Sequence, residues 1–140
     1  MVAADEAMSH GIPILEDVLA PSGFAWVPGR KGKGSGGYSV CGAFVRGSRK
    51  LELHYRYNLG MVTYHVESSS ADHESFMRVV VPKGKRSNYP GFSQEGSIDA
   101  FKHLASDLRN YCQVFLDGPD DELREVVHAA RNIGAKRRLP

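Results

Sequence analysis

The stretch YSVCGAFVRGSRKLELHYRYNLGMVTYHV, residues 38–66, decides the fold, because it holds three runs of alternating character separated by two turn signals. Period-two alternation sends successive side chains to opposite faces of a sheet, so such runs read as β-strands with one buried face. Gly47-Ser48 fits a two-residue hairpin with glycine first. Counting outward from it pairs Phe44 with Leu51, Gly42 with Leu53, Val40 with Tyr55, and Tyr38 with Tyr57. A turn at Leu59-Gly60 then pairs Tyr57 with Val62, Tyr55 with Tyr64, and Leu53 with Val66. Both hairpins keep the same face apolar. A one-residue slip would reverse every side chain, so their agreement specifies an antiparallel β-meander.

The opposite face carries Ser39, Cys41 and Ala43 beside Arg56, His54 and Glu52, with Thr63, His65 and Glu67 on the outer strand. An antiparallel sheet commonly wets one face and packs the other, which assigns helices to the Leu/Tyr side. The expected fold is α+β: an antiparallel β-meander of three to four strands with two to three helices packed on one face.

Working outward, residues 1–11 read as a frayed polar N-terminus. Pro13 opens a short helix through Ala20, and Phe24–Val27 forms a first strand stopped by Pro28 and Gly29. Residues 29–37 contain five glycines and read as a loop. Downstream, Ser68-Ser69-Ser70 with Asp72 and Glu74 begins a helix that ends before Pro82. Residues 82–96 form a long loop with a type II turn at Pro90-Gly91. Ser97 caps the principal helix, whose inner face is Ile98, Phe101, Leu104, Ala105, Leu108, Tyr111, Cys112 and Phe115. After Gly118-Pro119 a final helix turns Leu123, Val126, Val127 and Ala130 inward and stops at Gly134, leaving a basic tail at 134–140. One domain is expected over 1–140, with the sheet in 24–66 and a mainly helical part in 70–133.

At 140 residues, 41% hydrophobic and 24% charged, the chain has the composition of a folded domain and not of a disordered one. No apolar run approaches the roughly 20 residues of a membrane span, so no membrane partner is expected. The opening MVAADEAMSHG carries acids where a secretory signal carries Lys or Arg. Cys41 and Cys112 lie far apart and fit neither a disulfide framework nor a C-x-x-C site. A cytoplasmic protein is the simplest reading.

Net charge is only +2, but nine of the 18 basic residues fall in three acid-free segments. These are Arg30, Lys31 and Lys33; Lys83, Lys85 and Arg86; and Lys136, Arg137 and Arg138. Together they could attract nucleic acid or phosphate, if they converge in space. The glycine-rich 29–37 segment lacks both the Gly-Lys-Ser/Thr of a Walker loop and the strand-turn-helix context of a dinucleotide fold. Tyr89 and Phe92, on a turn near Lys85 and Arg86, either form a contact site or fasten the loop to the core.

The meander register sets Cys41 opposite His54 and His54 opposite His65, three possible metal ligands in one row. Ligands on three adjacent strands span nearly 10 Å, long for one ion. A Cys41–His54 nucleophile pair near Glu52 or Glu67 would need a low-pKa thiol and an oriented base. No motif supports either, so no metal, cofactor or catalytic residue is assigned. Packing histidines and an inert thiol are the plainer account. His73 and His103 read as solvent-facing, Cys112 as core, and Tyr38, Tyr55, Tyr57 and Tyr64 as the core face of the sheet.

At LELHYRYNLGMVTYH (51–65), YPGFS (89–93) and DLRNY (107–111) the chain resembles small uncharacterised bacterial proteins, over about residues 24–130. The resemblance implies no activity, so no functional residue is carried over. The expected function is a cytoplasmic binding or interaction module without covalent chemistry of its own, its partner another protein. Nucleic-acid or phosphate binding through the basic loops is the first alternative, and a metal-assisted enzyme at Cys41, His54 and His65 the second. An exposed outer strand, Met61–Glu67, could also pair with a second copy.

Overall fold

The computed structural model describes residues 3–34, 37–87, 89 and 98–138, with Ala3 and 136–138 by backbone alone. Five antiparallel strands form one meander in sequence order: β1 (Ala25–Gly34), β2 (Gly37–Arg46), β3 (Arg49–Tyr55), β4 (Leu59–Val66) and β5 (Ser69–Asp72). The helices are α1 (Ala3–Leu19), α2 (His73–Val80), α3 (Asp99–Tyr111), the short α4 (Gln113–Leu116) and α5 (Asp120–Arg138). The α+β architecture stands, with one strand more than the upper count expected.

The first hairpin has the register read from the sequence, Phe44 with Leu51, Gly42 with Leu53 and Val40 with Tyr55, and Gly47 takes the positive φ its turn needs. The second hairpin is displaced by four residues: Leu51 faces Tyr64, Leu53 faces Val62, and the chain turns at 56–58. An even displacement keeps each side chain on its face, so the apolar side stays apolar. It also buries Leu59 and leaves Tyr57 about half exposed, correcting the placement of Tyr57 in the core.

Several boundaries differ from expectation: Ser69–Asp72 is strand β5, so α2 begins only at His73, and the main helix expected to run through Phe115 ends at Tyr111, with α4 following it. Residues 1–11 are not a frayed end: from Ala3 they are helical, and Ala4, Ala7, Met8, Leu15, Val18 and Leu19 make a buried stripe. Pro13 lies inside this helix, where it removes one backbone bond. The stripe outweighs that loss. The glycine-rich segment is mostly strand, because β2 offers a ten-residue edge that satisfies its backbone groups. Pro28 and Gly29 sit at the irregularity in that edge strand, where a missing donor is tolerated. Finally, α5 runs through Gly134 to Arg138, and the missing side chain at Gly134 lets α5 approach Ser75 and Asp72.

The core lies between the sheet and the helices. α1 packs on α3 and over β1 and β2, while α2 and α5 pack on each other and on β4 and β5. Asp72, a strand residue here, is also the cap of α2, its carboxylate accepting from the Ser75 amide at 3.2 Å. Tyr64 stacks on Phe76 at 4.1 Å between ring centroids, and Phe24 on Phe115 at 5.1 Å. Arg49, 4% exposed, ties β3 to the α4–α5 junction. It donates to the carbonyls of Val114 (3.1 Å), Phe115 (2.8 Å) and Gly118, and to the Asp120 carboxylate (2.8 Å). The carbonyls belong to the end of α4 and the turn after it, so one guanidinium joins both to β3.

The outer strand Met61–Glu67 is covered over most of its length: β5 pairs with it from Thr63 with Asp72 to Val66 with Ser69, which closes that part to self-pairing and leaves Met61 and Val62 beyond the end of β5. The true edges are β1 and the four-residue β5, which α5 contacts.

Candidate functional site

The outward side chains of β1 to β4 form a sheet face opposite the buried one. Alternation on β3 points Leu51, Leu53 and Tyr55 into the core and Lys50, Glu52 and His54 outward. Beside them stand Cys41, Ala43 and Val45 of β2, and Met61, Thr63 and His65 of β4. Val27 and Met61 are 50% and 57% exposed, large apolar groups left in water. A shallow groove of about 210 Å³ on this face is lined by Val27, Cys41, Ala43, Val45, Lys50 and Glu52.

Glu52 organises this face. Its Oε2 lies 2.9 Å from His54 Nε2 and its Oε1 2.7 Å from His65 Nε2, so one carboxylate is held between two imidazoles. Partial burial pushes its pKa up. The hydrogen bonds to His54 and His65, with the charges those rings carry when protonated, pull it down and together win, leaving the carboxyl below its ordinary value.

The expected ligand row does not form. Cys41 does face His54, but His54 faces Met61 and His65 faces Lys50, a consequence of the four-residue displacement. The Cys41 thiol donates to the Arg30 carbonyl at 3.2 Å, and the His54 ring is turned to Glu52, so no thiol–imidazole pair exists. No group of three His, Cys, Asp or Glu side chains placed to hold a metal ion is found among the described residues. Arg56 lies in the 56–58 turn and not in the row with Glu52 and His54.

The basic segments are separated. Arg30, Lys31 and Lys33 are on the edge strand β1, where Lys31 lies 3.8 Å from Asp5. Lys83, Lys85 and Arg86 follow α2, which packs on β4 and β5 at the other side of the sheet. Phe92, the Pro90-Gly91 turn, the Ser97 cap and the side chains of Lys136, Arg137 and Arg138 lie outside the described residues. Tyr89 fastens its loop to the core: it is 6% exposed, its hydroxyl donates to the Leu59 carbonyl, and its amide donates to Asp107 at 2.8 Å.

Four buried polar residues escaped the sequence reading: Arg49, Ser75, His73 and Asp107. His73, expected in solvent, is 3% exposed, and Asp107 is fully buried on the apolar side of α3. His73 Nε2 lies 3.0 Å from Asp107 Oδ2, and Nδ1 lies 2.8 Å from the Tyr64 hydroxyl, which reaches Cys112 Sγ at 3.5 Å. A neutral imidazole donating to the acceptor-only carboxylate must accept from Tyr64, which aligns the chain Cys112, Tyr64, His73, Asp107. Burial pushes the Cys112 thiol up to about 12 and the Tyr64 hydroxyl well above its usual range. Both ring nitrogens of His73 are thus spent inside the protein, and the network is a fastening. The signal available beforehand was Asp107 itself, an acid set between Leu104 and Leu108 in an apolar helical stripe.

No helix among the described residues is long and apolar enough to cross a membrane. Comparison with protein-family models, with curated proteins and with solved structures finds no match for the chain.

Proposed function

We propose that this protein is a small binding module that presents the helix-free face of its sheet to another protein and performs no covalent chemistry of its own. The observation that carries the reading is the pairing on that face of half-exposed Val27 and Met61 with a carboxylate fixed by two imidazoles. Apolar groups supply contact area, and an oriented charge among them supplies selectivity. The complementary partner is a segment with an apolar side and a basic residue near it, which meets Val27 and Val45 and approaches Glu52. The reactive groups of this face are already engaged, Cys41 with the Arg30 carbonyl and both histidines with Glu52, which supports recognition over catalysis. Two free thiols, on separate elements, suit a reducing cytoplasm.

Site-specific photo-crosslinking in the native cell tests the reading. A photoreactive residue at Val27 or Met61 is expected to give a discrete adduct with one protein, and the same residue at the exposed Lys102 or Glu125 of the helical side is not. Equal labelling from all four positions would overturn the assignment.

A further inference from the structure

A second surface, on the helical side, has the makings of a ligand site. Where α2 ends, a groove of about 510 Å³ is lined by Met77, Arg78, Val81, Lys83, Lys85 and Arg86, within the size range of small-molecule sites. We propose that this groove binds a small phosphorylated molecule of nucleotide size, its phosphates held by Lys83, Lys85 and Arg86 and its ring or apolar portion lying on Met77 and Val81.

The charge balance favours an anion. Four cations line the groove against one carboxylate, Glu74, and that carboxylate pairs with Arg78 at 3.9 Å. No carboxylate among the described residues pairs with Lys83, Lys85 or Arg86, and all three side chains are exposed. A plainer role for them is to offset the negative end of α2. That end presents only about half an elementary charge, which one lysine offsets.

The loop that carries the cations is held in place. Val81 donates its amide to the Met77 carbonyl at 2.9 Å, closing the helix. The Lys85 amide then donates to the Pro82 carbonyl at 3.0 Å around Gly84, whose φ of 87° is the left-handed value a type II turn requires at that position. Beyond it the Tyr111 hydroxyl donates to the Arg86 carbonyl at 3.2 Å, and Tyr89 is locked onto Asp107. Backbone positions fixed before binding lower the ordering cost of gathering three cations around a phosphate. Among the cations, half-buried Val81 and the edge of the otherwise buried Met77 offer a small apolar surface, so a ligand with a flat or apolar part gains more than inorganic phosphate does.

The test is calorimetry and two-dimensional NMR on the whole protein with three probes: adenosine diphosphate, inorganic phosphate and a single-stranded oligonucleotide. Adenosine diphosphate is expected to bind at least about tenfold more tightly than inorganic phosphate, to weaken as salt rises from about 50 to about 200 mM, and to shift amides of residues 74–87 and 111. The variant K83Q/K85Q/R86Q should lose this binding. R30Q/K31Q/K33Q removes the same charge from β1 and should keep it. All six positions are exposed, and matching thermal melts will confirm that both variants fold. The proposal falls if adenosine diphosphate shifts nothing at millimolar concentration, or if both triple variants lose binding alike. It falls equally if the oligonucleotide binds more than tenfold tighter than the nucleotide, since the groove is then a nucleic-acid contact. None of these outcomes touches the crosslinking result on the sheet face.

Discussion

The imidazole of His73 and the carboxylate of Asp107, 34 residues apart in the chain, meet 3.0 Å apart in the protein interior. Through them the start of α2 is tied to the middle of α3, and Asp107 also accepts from the Tyr89 amide that anchors the loop after α2. D107A would leave two buried donors without an acceptor. Each such donor costs about 1–3 kcal/mol, so the variant should lose about 2–6 kcal/mol in urea unfolding, with D107N losing less because its amide oxygen still accepts.

Glu52 gives a pH dependence with a definite sign. Its folded value lies below the ordinary 4.5, so its contribution to stability is complete above that value and is lost as pH falls through the lowered one. In H54Q/H65Q only the desolvation that raises the value remains in full. The Glu52 carboxyl, followed by carbon-13 NMR, should then titrate above the wild-type value, and a titration unmoved by the substitutions would show that the imidazoles do not hold it.

Gly11 sits in α1 where a β-carbon would fall within the Phe101 ring. Alanine is a better helix former than glycine by about 1 kcal/mol, so an unpacked helix would gain from G11A. Here the ring must move, and a loss of about 1–3 kcal/mol or more is expected in thermal unfolding.

Arg49 is the joint between β3 and the α4–α5 junction. R49K keeps the charge but not the planar fork that reaches the Val114, Phe115 and Gly118 carbonyls and Asp120 together. The loss should be about 2–4 kcal/mol in urea unfolding, and a lysine variant as stable as the wild type would show the fork to be dispensable.

The two thiols should differ in reactivity. Cys112 is fully buried with its pKa pushed up to about 12, while Cys41 is half-buried at the groove on the sheet face. Native protein should release one equivalent quickly with a disulfide reagent near pH 8, and the second only on unfolding. C41S should abolish the fast phase.

Local pattern carried much of this protein. The alternation of residues 38–66 specified the sheet, the first hairpin and which face is buried, because the side-chain period of a strand is fixed by backbone geometry. The 3.6-residue stripe of residues 98–115 placed α3 for the same kind of reason, but not the break at Cys112 that sets α4 apart. The buried stripe at Ala4, Ala7, Met8 and Leu15 was legible too, but Pro13 in its middle read as a beginning. Tertiary structure decided the rest. The second hairpin could shift by four residues without moving any side chain to the wrong face, so only packing against the helices selected the register that buries Leu59. That choice moved His65 away from His54 and set both around Glu52. Likewise the His73–Asp107 pair and the bonds of Arg49 to the α4–α5 junction join residues far apart along the chain. Their energies depend on which elements come together and on the water they exclude, which no local periodicity records.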